Sequence, residues 1–250
     1  MKAVMRLLGL IVIAGLALQL YFVARIAVMI AVNPESTAFQ RSETYRVATT
    51  TGSLKWRQQW VPYEKISDNL KRAVIASEDA SFTEHDGVDI EALEKAWDKN
   101  AKAEQRVQKS ASRAAPSGKA QLAPAKAPKI VGGSTITQQL AKNLFLSGER
   151  TLLRKGQELV LTLMLEVMLS KERILEIYLN SVEWGEGVFG AEAAAQHYYR
   201  KPAASLSAYE AARLAVMLPR PKYFETRAGS GYLSSRASTI AARMGGVELP

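Results

Sequence analysis

The chain has 250 residues, 33 Lys and Arg against 24 Asp and Glu for a net charge of +9, 48% hydrophobic residues and no cysteine. That length accommodates one domain with appendages, and the missing cysteine excludes disulfide scaffolds, Cys-ligated zinc, iron–sulfur clusters and thiol catalysis. His85 and His197 are the two histidines, which excludes a histidine-rich metal cage, and the positive charge first suggests nucleic acid or an anionic membrane as partner.

Leu7 to Ala24 reads LLGLIVIAGLALQLYFVA, apolar but for Gln19, and follows Lys2 and Arg6. Eighteen such residues at about 1.5 Å each approach the roughly 30 Å hydrocarbon core, and Ile26 to Val32 can extend the span. A cleaved signal peptide would carry a shorter apolar region, about 7–15 residues, and a small-x-small cleavage site, which does not follow at the usual distance. Residues 1–32 therefore read as an uncleaved single-pass signal anchor with its short basic N-terminus inside. Arg25 is expected to snorkel towards the outer headgroups or a helix neighbour. The expected localisation is a bacterial inner membrane, with the remaining chain in the periplasm.

Residues 33–59 read as a linker, with one or two short extended segments and a hairpin at Thr51-Gly52-Ser53. From Ser67 onward the period is helical: Leu70, Ala73, Val74 and Ser77 share one face, with Ser67 and Asp68 as a plausible N-cap. Further helices are expected at 88–108, 134–146, 151–169, 171–182, 190–200, 207–218 and 234–244. No segment after residue 67 alternates well enough to demand a sheet, so residues 60–250 read as one mostly α domain.

The stretch 99–130 interrupts it, with nine Ala, three Pro and eight basic residues against Glu104 alone. Pro116, Pro124 and Pro128 forbid a continuous helix through its second half. It is expected to be a flexible solvated insert or, on a sharper reading, a basic tether for anionic lipid headgroups or polymer. Setting aside 1–32 and 99–130 leaves 22 basic and 23 acidic residues. The domain body is nearly neutral, and the nucleic-acid reading loses its basis.

Four runs carry chemistry. Glu78 and Asp79 end an apolar helix and are followed by Phe82, His85 and Gly87; a carboxylate facing a cleft there can be desolvated into a general base or acid, although such a pair is more often plain surface. Gly132-Gly133-Ser134-Thr135 opens a helix bearing Gln138, Gln139, Lys142 and Asn143, whose N-terminus suits an anion such as a phosphate. Arg154, Lys155 and Glu158 occupy the first turns of an otherwise apolar helix, where a simple helical salt bridge is worth about 0.2–0.5 kcal/mol. Glu176 and Asn180 share a face ahead of the turn Trp184-Gly185-Glu186-Gly187.

In order and wording these runs resemble the peptidoglycan glycosyltransferase family. The matching stretches are EDASFTEHDG (78–87), GGSTITQQLAKN (132–143), RKGQE (154–158), KERILEIYLNSVEWGEGVFGAEAAAQHYYRK (171–201) and LSAYEAARLAVMLPRPKYF (206–224), and the likeness covers about residues 60–245. No transpeptidase segment follows before Pro250, as in the family's monofunctional members. The 99–130 stretch is longer than the family leads one to expect, which bears on loop geometry and not on chemistry.

The resemblance implies a mostly α, lysozyme-like domain with a small membrane-associated jaw lobe. It implies a polymerase that joins the 4-hydroxyl of lipid II to the anomeric carbon of a growing chain on undecaprenyl diphosphate, with inversion. On it, Glu78 matches the catalytic base and Glu158 the second catalytic glutamate, beside the departing diphosphate. Lys142, Arg154 and Lys155 match cations that neutralise the diphosphate, Ser134, Thr135, Gln138, Gln139 and Asn143 match the donor-site wall, and Phe82, His85, Glu176 and Asn180 match residues that shape the cleft. No organic cofactor is implied; a divalent cation, Mg or Mn, is an expectation near Glu158. The implied partners are lipid II, the lipid-linked glycan chain, inner-membrane lipids and other cell-wall synthesis or division proteins, with no nucleic acid. A lysozyme-type hydrolase would have no use for a diphosphate-directed cluster at Lys142, Arg154 and Lys155, and a non-catalytic scaffold would tolerate Glu78→Gln.

Overall fold

A computed structural model of the chain describes residues 1–114, 133–146 and 151–250. Helix α1, Lys2–Met29, runs unbroken for 28 residues, about 42 Å, and is long and apolar enough to cross a membrane. Most of its side chains are exposed, but Phe22, Ile26 and Met29, one stripe of its last two turns, are buried. Phe22 meets Phe145 edge-on at 5.3 Å, and Arg173 Nε donates to the Met29 carbonyl at 2.9 Å, satisfying a helix-end acceptor. Gln19 and Gln157 exchange reciprocal amide hydrogen bonds of 3.0 and 3.2 Å. Arg25 donates to the Tyr21 hydroxyl, one turn back on its own helix, at 2.9 Å.

The expected linker is the first correction. Residues Ala38–Thr51 form helix α2, and Gly52 is its left-handed C-cap, not the tip of a hairpin. Thr37 and Gln40 make a reciprocal capping box, a start signal that operates without any hydrophobic period. The helix is anchored through polar atoms: Gln40 Nε2 donates to the Ser181 carbonyl at 3.0 Å, and Gln40, Glu43 and Val47 are its buried residues.

The body is helical, as the sequence pattern implies. Helix α3, Asp68–Glu78, starts at the Ser67 cap; α4 is Ile90–Ala114; α5, Ile136–Phe145, α6, Leu152–Met168, and α7, Lys171–Ser181, start from Thr135, Thr151 and Ser170. Helices α8, Ala191–Tyr199, α9, Ala208–Met217, α10, Pro221–Glu225, and α11, Gly231–Arg243, complete the chain. The insert is corrected in part, since 99–114 continues α4; Ala, Lys, Gln, Glu and Arg are good helix formers. The prolines and glycine of its second half lie outside the described residues.

A small sheet also escapes the alternation rule. Strands β1, Arg57–Gln58, β2, Glu183–Gly185, and β3, Val188–Phe189, lie in the order β1-β3-β2. Every residue of β2 and β3 is buried, so no inside–outside alternation exists to read. Gly190, at φ 84°, turns the chain from β3 into α8; a Cβ there would stand 2.6 Å from the Asn180 carbonyl oxygen, so only glycine fits.

Two helix packings position the site. Leu70, Ala73 and Val74 of α3 pack with Ala211, Leu214 and Ala215 of α9 and with Leu233, Ala237 and Ile240 of α11 in one core. Leu140 and Leu144 of α5, Leu161 and Leu165 of α6, and Ile174 and Tyr178 of α7 belong to the same core. The C-terminal end of α3 and the N-terminal end of α5 come together where these halves join.

Candidate active site

Glu78, the last residue of α3, is partly buried and lines a cleft of about 820 Å³. Its Oε2 accepts from Gln139 Nε2 at 3.0 Å, and Gln139 Oε1 in turn accepts from the buried Tyr178 hydroxyl at 3.0 Å. Burial pushes the Glu78 carboxyl above the usual range, while the bonds from Gln139 and Ser77 pull it partly back. A carboxylate held in one orientation and short of solvent is a stronger proton acceptor than a free one.

Asp79, adjacent in sequence, has a different task. One oxygen accepts from His85 Nε2 at 2.8 Å and the other from the backbone N–H of Ile136, the first residue of α5, at 2.9 Å. The carboxylate therefore sits on the positive end of α5 and ties α3, α5 and the His85 loop together. The bond to Asp79 raises the His85 pKa. Phe82 is fully buried under His85, and Lys171 Nζ lies 4.6 Å from its ring centroid while donating to the His85 carbonyl at 2.5 Å.

Ser134, Thr135 and His85 join Glu78 and Asp79 in lining the cleft. Ser134 is exposed there, whereas Thr135 caps α5 and Gln138 closes its capping box. Gln139 stands behind Glu78, Lys142 is exposed and Asn143 is buried. A second group forms on α6, where Glu158, 4% exposed, pairs with Arg154 at 3.5 Å and with Lys155. Arg154 Nε is buried without a hydrogen-bond partner among the described residues. Helices α5 and α6 pack directly on each other, so the two groups are joined through α5.

Glu176 and Asn180 lie elsewhere and act as braces. Asn180, fully buried, bonds both backbone polar groups of Val61 at 2.9 Å. Glu176 receives Trp60 Nε1 at 3.2 Å and Arg173 at 2.8 Å. Neither they nor Phe82 line the cleft. Tyr178, between them in sequence, is the residue that the motifs do not single out; its signal is a tyrosine among the buried Ile174, Leu175, Ile177 and Leu179 of α7.

Among the described residues, Asp79, His85 and Asp89 place one potential ligand atom each within 4.8 Å of one another. Their atoms are already committed: Asp79 to His85 and Ile136, Asp89 to Ser81 and to the Ala92 N–H at the start of α4. Glu158 offers a single carboxylate occupied by two cations. That donor set does not fit a protein-held divalent cation.

The fold and site define a class before they define an activity. A family model described as Transglycosylase matches residues 45–113 and 117–245, and the chain belongs to that family, whose domain is lysozyme-like and mostly helical. The chain is 55% identical over 237 residues to a biosynthetic peptidoglycan transglycosylase of Burkholderia thailandensis, covering 95% of this chain and 84% of that one. Proteins of the same name from Burkholderia orbicola and Burkholderia pseudomallei are 53% and 52% identical over 95% of this chain and 87% and 84% of theirs. The enzyme is a peptidoglycan glycosyltransferase.

Proposed function

We propose that the enzyme extends glycan strands by transferring the lipid-linked growing chain onto the 4-hydroxyl of lipid II, with inversion and release of undecaprenyl diphosphate. The observation that carries this reading is Glu78: a desolvated carboxylate in a cleft, oriented by Gln139 and backed by Tyr178. As the hydroxyl oxygen bonds to the anomeric carbon, Glu78 takes its proton. The bond from that carbon to the diphosphate oxygen breaks, and the diphosphate leaves with the electron pair. A single displacement requires the base opposite the leaving group, and one carboxylate suffices for it.

The diphosphate departs as an anion, so it needs positive charge more than a strong acid. Arg154 and Lys155 provide that charge, and Glu158 holds both in place. The Nε of Arg154, buried without a partner among the described residues, is a donor that such an acceptor would satisfy. Lys142, exposed on α5, adds to the same field.

The substrate's lipid requires the enzyme to work at a bilayer surface. Helix α1 suits a single-pass anchor in the inner membrane, with the catalytic domain in the periplasm. Leu152, Leu153, Leu159, Leu163 and Val167 on α6 are exposed; we assign this apolar stripe, the jaw, to the acyl–headgroup boundary. The test is polymerisation of purified lipid II: Glu78→Gln is expected to lose at least about a hundredfold in rate while folding and inserting normally. Glycan strands made at near wild-type rate would show that Glu78 is not the base.

A further inference from the structure

Helix α4 carries charge in a pattern that the chemistry above does not use. Lys95, Lys99, Lys102 and Arg106 follow one another at four-, three- and four-residue steps, so they form one row about 16 Å long on the helix surface. All four lie outside the motifs, and all but Lys95 are without an acidic partner among the described residues. Lys95 pairs with Glu91 at 2.9 Å, with both side chains exposed, a contact that exchanges readily with solvent or ligand. Lys95 and Lys99 line the same cleft as Glu78, and Lys102 and Arg106, both exposed, carry the row away from it.

The geometry decides between three anionic partners. A lipid surface would need the basic row beside the apolar side of the helix. Ile90, Leu93 and Trp97 are that side, 66%, 50% and 75% exposed, and at about 100° per residue they point roughly 180° from the basic row. A helix resting its apolar side on a bilayer therefore turns the lysines away from the headgroups. A diphosphate is compact and takes a few converging cations, which α6 already supplies. A row of cations spaced about 5–6 Å apart instead matches a polymer whose anionic groups recur along its length.

We infer that the row on α4 is a binding track for the free carboxylates of the peptides borne by the glycan strand, leading that strand past the mouth of the Glu78 cleft. This rests on the reading of the substrate as a peptide-bearing disaccharide polymer. Lysine suits the task, since a point charge on a flexible stem follows a moving carboxylate without demanding a fixed geometry. The row lies in an exposed setting, so the attraction is weakened by salt.

The test uses the full-length enzyme in detergent micelles and the triple variant Lys99→Gln, Lys102→Gln, Arg106→Gln. With lipid II, the neutral variant is expected to raise KM about tenfold, with kcat nearly unchanged and the thermal midpoint unaltered. The charge-preserving triple Lys99→Arg, Lys102→Arg, Arg106→Lys restores KM. With lipid II whose peptide carboxylates are amidated, wild type and neutral variant have equal KM. Equal KM changes on both substrates, or none on either, would overturn the track. So would a loss of binding to vesicles of anionic phospholipid with KM intact, which would make the row a lipid contact. If wild type makes no polymer from either substrate, the proposed reaction falls instead. The track is then decided by binding of soluble peptide-bearing strands, which the neutral variant must bind more weakly than wild type, against peptide-stripped strands, which both must bind equally.

Discussion

Gln139 Nε2 donates to Glu78 Oε2 at 3.0 Å, and this one bond joins the tip of α3 to the face of α5. It does two things that can be measured apart. It fixes the carboxylate's direction, and it favours the charged form against the cost of burial.

Gln139→Leu removes both. The rate constant kcat is expected to fall about tenfold through lost orientation, with KM little changed. Without its donor the Glu78 carboxyl rises further, so the acidic limb of the kcat/KM profile moves to higher pH. Tyr178→Phe leaves the glutamine bond in place and removes only the hydroxyl that orients it; both changes should be smaller. Steady-state kinetics across pH 5 to 9 separates them.

Asp79→Asn attacks the clamp rather than the chemistry. It weakens charge-assisted bonds to His85 and to the Ile136 N–H in a buried place, a loss of about 2–3 kcal/mol in denaturant unfolding. The folded protein raises the His85 pKa through this pair. The stability tied to it is therefore full below about pH 6.5, the unfolded value, and is lost as pH rises through the folded one. The gap between wild type and Asp79→Asn should be widest in acid and narrow in base.

Glu183 on β2 carries the same sign of pH dependence from a different cause, burial without a full partner. Its Oε1 is 3.5 Å from Lys222 of α10, near enough for charge but leaving the oxygen buried without a hydrogen bond, because Lys222 is drawn to Glu43, which Arg46 of α2 also holds. Burial pushes the Glu183 carboxyl from 4.5 to about 7. Between those values the folded state binds the proton more tightly than the unfolded one, so stability falls as pH rises, by at most about 3 kcal/mol. Glu183→Gln should unfold at the same temperature as wild type near pH 4 and at a higher one at pH 8, by calorimetry.

Gly190→Ala should be severely destabilising, by more than about 2 kcal/mol. Its φ of 84° and the Asn180 carbonyl 2.6 Å from a Cβ leave no room to adjust. Circular dichroism and thermal melting would show it, and an unaltered midpoint would contradict the geometry.

Several of the helices that sequence made legible combine an apolar stripe with a hydroxyl cap, as α3 does from Ser67, α6 from Thr151 and α7 from Ser170. What escaped lacks such a stripe. Helix α2 packs through Gln40 and Glu43 as well as Val47, so a reading tuned to hydrophobic period sees a linker. The buried strands are too short to alternate, and α10 is a five-residue turn opened by Pro221. At the site, Glu78, His85 and Ser134 were legible as cleft residues because their motifs are local. The separate roles of Asp79, Tyr178 and Asn180 were not, since each is defined by a partner 39 to 119 residues away.

The amides of Gln19 and Gln157 bond each other across α1 and α6, and Gln157 is the immediate neighbour of Glu158. Pulling these helices apart in a greasy medium strands four polar atoms with nothing to replace them. Helix α1 is thus keyed to the enzyme body rather than tied to it by a string. On the proposed reading of α1 as a membrane anchor and of α6 as the diphosphate side of the site, whatever tilts or sinks α1, such as a thicker or thinner bilayer, turns that side of the catalytic centre with it, and a generic apolar helix in its place would keep the anchor but lose that registration.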